Sequence, residues 1–169
     1  MRVGQKGTLT RVWAARGSRP RAPRALGFKS TYLFGAVCPG RGAAAGLVLP
    51  VADAQAMAVH LEEISPQVAP GAHAVVVLDG AGYQGAKALA GRVPANLSLL
   101  PLPPYSPELN PMELAWQDLR RCDLANRVFD DLGEVVDACG RAWNRLIADT
   151  ARLVSLTDFA WARPNPKTL

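Results

Sequence analysis

The apolar positions of this chain fall into short blocks whose period changes along its length. Residues 8–14, Thr-Leu-Thr-Arg-Val-Trp-Ala, alternate and are rich in β-formers, which predicts a strand. Residues 31–38 and 45–50 are two further apolar runs. Pro39-Gly40-Arg41-Gly42 separates them, so they are expected to form a hairpin. Asp53 stands as a helix N-cap before Met57, Leu61 and Ile64 at helical spacing, with Glu62 and Glu63 turned outward. Residues 74–78, Ala-Val-Val-Val-Leu, are too short for a typical helix and predict an interior strand covered on both faces.

Gly80 to Gly85 then turn the chain into a short helix over about residues 86–91, and residues 97–102 predict another strand. Asn110-Pro111-Met112-Glu113 is a helix start: a cap residue, proline at the first helical position, and an acid in the first turn. Met112, Trp116 and Leu119 share one face of that helix, and Glu113, Gln117, Arg120 and Arg121 share another. A last helix is expected over residues 131–147, with Val135, Ala138, Ala142, Trp143 and Leu146 inward. Residues 1–7 read as a basic tail and residues 164–169 as a frayed one. The order of elements predicts an α/β class with a mixed sheet.

Charge changes this picture more than composition does. Up to Ala52 the chain holds nine Lys/Arg and no acid; beyond it ten Lys/Arg face fourteen acids. A basic front half suggests a polyanion partner, and residues 16–24 form a turn-rich loop whose arginines could track phosphates or simply be solvated. Gly4, Gly7, Gly17, Pro20 and Pro23 break any amphipathic targeting helix there. No apolar run approaches the ~18 residues that span a membrane, so no membrane partner is expected. Three widely spaced cysteines without a CxxC pair argue for a reducing cytoplasm. His60 and His73 lack zinc-ligand spacing. At 169 residues the simplest organisation is one domain.

Two motifs carry candidate chemistry. Gly80-Ala81-Gly82-Tyr83-Gln84-Gly85 matches the dinucleotide-binding G-x-G-x-x-G. That motif also wants an acid about 20 residues on, and none occurs between Asp79 and Glu108, while Asp79 itself would sit beside the pyrophosphate. The other is a carboxylate pair. Asp79 ends a predicted strand, where ligands of open α/β sheets gather. Glu113 follows residues 102–111, Leu-Pro-Pro-Tyr-Ser-Pro-Glu-Leu-Asn-Pro, a stiff connector that would fix how it reaches the site. Taken singly, Asp79-Gly80 reads as a turn and Glu113 as part of a capping box. Taken together they suit a hard cation held by oxygen ligands.

Asp79-Gly80-Ala81-Gly82-Tyr83, the run from Leu102 to Pro111, Glu113 and Trp116 together resemble the mariner-related DDE transposases. More narrowly they are similar to the bacterial insertion-sequence branch called the six-thirty family. Residues 2–7, 13–20 and 142–144 look like that family as well, so the likeness covers nearly the whole chain. The resemblance implies a ribonuclease H-like α/β fold over residues 1–163. Three carboxylates there bind Mg²⁺ or Mn²⁺ for in-line attack on a DNA phosphodiester. It makes Asp79 the second carboxylate and Glu113 the third, with Gln84 and Asn110 supporting them from behind. Gln84 stands where many relatives have His.

The same resemblance has Arg120 and Arg121 facing DNA, or else pairing with Asp118 or Asp123. Arg16, Arg19 and Arg21 are the other candidate DNA contacts. In the family the first acid, an Asp-Glu pair, precedes the arginine that matches Arg2. Here Met1 stands in its place, so the first, central strand is expected to be largely absent and the chain inactive alone. The expected partners are DNA, a second copy or a full-length transposase, in a bacterial, nucleoid-associated cytoplasmic setting. A non-catalytic fragment, or the second half of a frameshifted enzyme, is the alternative.

Overall fold

A computed structural model describes residues 1–21, 27–85 and 87–162. Five strands and four helices follow in the order β1 (Arg2–Gly4), β2 (Ser30–Cys38), β3 (Ala43–Leu49), α1 (Ala54–Ile64), β4 (Ala74–Leu78), β5 (Leu97–Pro101), α2 (Met112–Leu119), α3 (Leu132–Ala148) and α4 (Thr150–Thr157). The strands form two sheets rather than one mixed sheet. β1, β2 and β3 pair antiparallel in that order, and β4 pairs parallel with β5.

The hairpin forms where the proline-glycine turn predicts it. Pro39–Arg41 make one 3-10 turn, and Gly42 at φ +61° closes it in the left-handed region that glycine occupies without strain. Asp53 caps α1 through the Ala56 N–H at 2.8 Å, and Asp131 caps α3 through the Glu134 N–H at 2.9 Å. Both carboxylates thereby satisfy donors that the helix cannot.

Alternation along β2 divides the core in two. Phe34 faces a cluster with Ala45, Met57, Leu61, Ile64, Leu78, Leu89 and Leu97, so α1 covers one face of both sheets. Leu33 faces the opposite cluster, with Val3, Met112, Trp116, Leu119, Val135, Trp143, Leu146 and Leu153. Helices α2, α3 and α4 therefore cover the other face of the antiparallel sheet alone. Gly35 and Gly46 are cross-strand partners beneath that second layer. Having no Cβ, they let the Trp116 and Trp143 rings lie against the strands, 6.0 Å apart between centroids. The ion pairs Asp118–Arg152 and Asp123–Arg145 tie the α2 end of the chain to α4 and α3.

Several expectations are corrected. Residues 8–14 form no strand: no sheet edge lies beside them, and Leu9, Val12 and Trp13 are exposed. Arg2–Gly4, read as tail, instead add β1 to the edge of β2. β4 is not covered on both faces, since Val75 is 60% exposed, and among the described residues it pairs with β5 alone. Its apolar run reflects the α1 face and leaves the other face open, with Leu100 of β5 half exposed beside it. The short helix expected over residues 86–91 is replaced by turns at residues 87–91, preceded by a 3-10 turn at Gly82–Gln84; Ala86 lies outside the described residues. Helix α4 follows α3 after a break at Asp149 that the apolar pattern did not mark. Most of the basic loop's distal end, residues 22–26, and the tail from residue 163 lie outside the described residues.

Candidate functional site

β4 ends at Leu78 and delivers Asp79 to the surface at the carboxyl edge of the parallel pair. Gly80 at φ +81° turns the chain back, so the Ala81 N–H reaches both Asp79 Oδ1 (3.4 Å) and Gln84 Oε1 (3.1 Å). Gln84 thus closes the turn behind Asp79 rather than starting a helix. This turn has none of the helix that a dinucleotide-binding loop needs among the described residues. Tyr83 leans into the core with its ring 6.5 Å from that of Phe34. Burial pushes its hydroxyl pKa up, and the neighbouring Asp79 charge adds to the rise. Sequence reading assigned no role to Tyr83; its place four residues after Asp79 was the one available signal.

The connector to Glu113 is built as its prolines require. The Leu102 N–H donates to Leu78 O at 2.7 Å, which fastens the start of the connector to the end of β4. Pro107–Leu109 then make a 3-10 turn. The Asn110 side chain accepts the Met112 N–H at 3.0 Å, and the Asn110 carbonyl accepts the Glu113 N–H at 3.0 Å. Asn110 therefore starts α2 and fixes the first-turn position of Glu113. The buried face of α2, Met112, Ala115, Trp116 and Leu119, clamps the helix to the antiparallel sheet. Glu113, on the adjoining face, is half-buried.

The Met1 amine stands just before β1. It donates to Leu33 O at 2.6 Å, extending the β1–β2 ladder. Its pKa is lowered to about 6, by burial first and the Arg120 charge second, against the opposing charges of Glu113 and Asp79. Asp79 comes from the end of β4, Glu113 from the first turn of α2 and Arg120 from the turn that follows α2. Arg120 opens a π-turn, Arg120–Leu124, that widens the helix end. Arg121 in the same turn is exposed. Asp118 and Asp123 are held by Arg152 and Arg145, so the pairing weighed for Arg120 and Arg121 is taken by other arginines. Arg16, Arg19 and Arg21 all lie on an exposed arm.

Two carboxylates supply hard oxygen donors that fit Mg²⁺ or Mn²⁺. No group of three His, Cys, Asp or Glu able to hold a metal gathers among the described residues. The donor set therefore fits such an ion in kind but not in number for a two-ion site.

The layering is mixed α/β, with Asp79 at a strand end and Glu113 at a helix start. Residues 1–136 match the sequence profile described as "DDE superfamily endonuclease", and the chain belongs to that superfamily. It is also similar to an uncharacterised protein, y4pE/y4sA, of Sinorhizobium fredii (strain NBRC 101917 / NGR234). The two are 48% identical over 131 residues, which cover 78% of this chain and 96% of that protein. No solved structure matches this chain.

Proposed function

We propose that this chain is the catalytic domain of an insertion-sequence transposase of the mariner-related six-thirty family, contributing two of three carboxylates to a DNA-cutting site. The observation that supports this reading is that Asp79, at the end of β4, and Glu113, in the first turn of α2, are linked by a proline connector fastened to the end of β4 by the Leu102 N–H on Leu78 O. Asp79 and Glu113 would hold the divalent cation, Mg²⁺ or Mn²⁺, through their carboxylate oxygens. Bound there, such a cation supplies Lewis-acid charge to a scissile DNA phosphodiester. The chain's own part is orientation. The Leu78–Leu102 bond and the proline connector hold the two acids in register, and Arg120 offers a guanidinium suited to a phosphate oxygen. Among the described residues no third carboxylate joins them in a metal-holding group.

The test is strand cleavage of the element's own ends with Mg²⁺ or Mn²⁺. Residues 1–169 alone are expected not to cut. A chain extended upstream through an Asp-Glu pair is expected to cut, and Asp79→Asn or Glu113→Gln in that longer chain to abolish cutting. Robust cutting by residues 1–169, or an extended chain indifferent to both substitutions, overturns the reading. A non-catalytic DNA-binding product is the second reading. It is favoured by the lack of a three-acid group among the described residues beside a run of exposed arginines.

A further inference from the structure

Residues 8–21 form an arm that no sheet uses. Its base is fastened at one point: the Asn126 side chain accepts the Thr10 N–H at 3.0 Å and donates to Thr10 O at 3.1 Å, while the Asn126 N–H donates to Thr8 O at 2.9 Å. Asn126 takes a left-handed φ of +55° to do this, a conformation asparagine tolerates better than most residues. The tip of the arm is also built. The Ser18 N–H donates to Ala15 O at 2.9 Å, the Ser18 hydroxyl donates to the same oxygen at 2.6 Å, and Gly17 sits at φ +83°. This is a glycine-dependent β-turn that presents Arg16.

Between base and tip stands Trp13, fully exposed, with Val12 and Leu9 half exposed beside it. Arg11, Arg16, Arg19 and Arg21 flank it along the chain, all exposed, and no acid occurs before Asp53. An indole left wholly in water has no role in the core, and four exposed guanidiniums in a stretch without acids suit an anionic partner. A flat π-face flanked by phosphate-binding groups fits one ligand chemistry best: a polynucleotide strand whose bases are unstacked.

We propose that this arm binds single-stranded DNA, with Trp13 stacking on an unpaired base and Arg16 and Arg19 holding the phosphates on either side. The proposal deepens the reading of the chain as DNA-acting but does not depend on the metal site. Duplex DNA offers the arginines phosphates yet hides its base faces, so the indole should discriminate between the two forms.

The test uses residues 1–169 in EDTA, so that neither cleavage nor cation binding enters. Anisotropy of a labelled oligothymidylate and of a duplex of equal length gives the two affinities at two salt concentrations. The oligothymidylate is expected to bind more tightly and to quench tryptophan emission. Trp13→Ala should weaken its binding by roughly 5- to 100-fold, the range of a lost base–aromatic stack, and remove most of the quenching. Duplex binding should change little. Trp13→Phe should retain most of the affinity. Arg16→Gln with Arg19→Gln should weaken both forms and lower the salt slope by about two charges. Because Trp13 lies outside both core clusters, all variants should melt like the parent.

Equal losses on single strand and duplex for Trp13→Ala, or single-strand affinity within twofold of the parent, overturn the proposal. So does an arm that binds anionic vesicles but no DNA. Dissociation of an oligomer by Trp13→Ala without a DNA effect also overturns it, since that assigns the arm to a second copy. Cleavage in the extended chain that ignores Asp79→Asn and Glu113→Gln, with this binding intact, would sink the catalytic reading and leave the arm's role standing.

Discussion

Replacing Gly35 by alanine tests how the sheet holds α2, and hence Glu113, in place. A Cβ at Gly35 would lie 2.5 Å from Trp116 Cη2, 2.7 Å from Trp143 Cη2 and 2.8 Å from Trp143 Cζ3. Carbon atoms settle at roughly 3.5–4.0 Å, so the methyl overlaps both indoles by about 1 Å. Neither ring can swing aside, because Trp116 is 7% and Trp143 5% exposed and each packs on the other. Relief requires α2 and α3 to lift from the strands together. Overpacking of this kind costs about 1–3 kcal/mol. For a chain of this size that lowers the melting temperature by roughly 2–12 °C. Urea titration followed by tryptophan fluorescence, with calorimetry alongside, measures it. The clash also predicts coupling: in a Gly35→Ala, Trp143→Phe cycle the smaller ring should recover more than about 0.5 kcal/mol of the loss. A Gly35→Ala chain within about 0.5 kcal/mol of the parent would refute the packing argument. Additive single effects would show that the indole is not what the methyl meets.

Three further outcomes follow from other parts of the molecule. His60 is 3% exposed and burial lowers its pKa to about 4, so it is neutral when folded but accepts a proton near pH 6.5 when unfolded. Its contribution is complete above about pH 6.5 and is lost as pH falls towards 4, by up to about 3 kcal/mol; pH-dependent urea melts should show this slope and His60→Leu should flatten it. Cys139 is fully buried with its thiol pushed up to about 11, whereas Cys38 and Cys122 are exposed. A thiol reagent should therefore label two cysteines in native protein, and mass mapping that finds Cys139 labelled at the same rate would contradict the packing. Asp53→Ala removes the acceptor of the Ala56 N–H and should cost about 1 kcal/mol in the same melts, with no loss expected if α1 can recap itself.

The local grammar of this chain was legible because each signal acts over a few residues. Asp53 and Asp131 cap helices by bonding an N–H three positions on, and a proline-glycine turn makes a hairpin whatever lies beyond it. The helical spacing of Met112, Trp116 and Leu119 named the buried face of α2, and the stiff connector before it named Glu113 as a residue held in place. What failed were judgements that need a partner. Residues 8–14 have a strand's composition, but a strand exists only where an edge accepts it, and the arm found Asn126 instead. Arg2–Gly4 have little strand character, yet they pair because the start of β2 was open.

The candidate site divides in the same way. That Asp79 ends a strand and Glu113 opens a helix follows from sequence alone. That the connector between them is fastened to the end of β4, the Leu102 N–H on Leu78 O, is a tertiary fact, since that bond joins segments far apart in the chain. Sequence could likewise propose arginines for Asp118 and Asp123 only from neighbours two or three positions away. The folded chain brought Arg152 and Arg145 to them instead, because helix packing sets which charges meet.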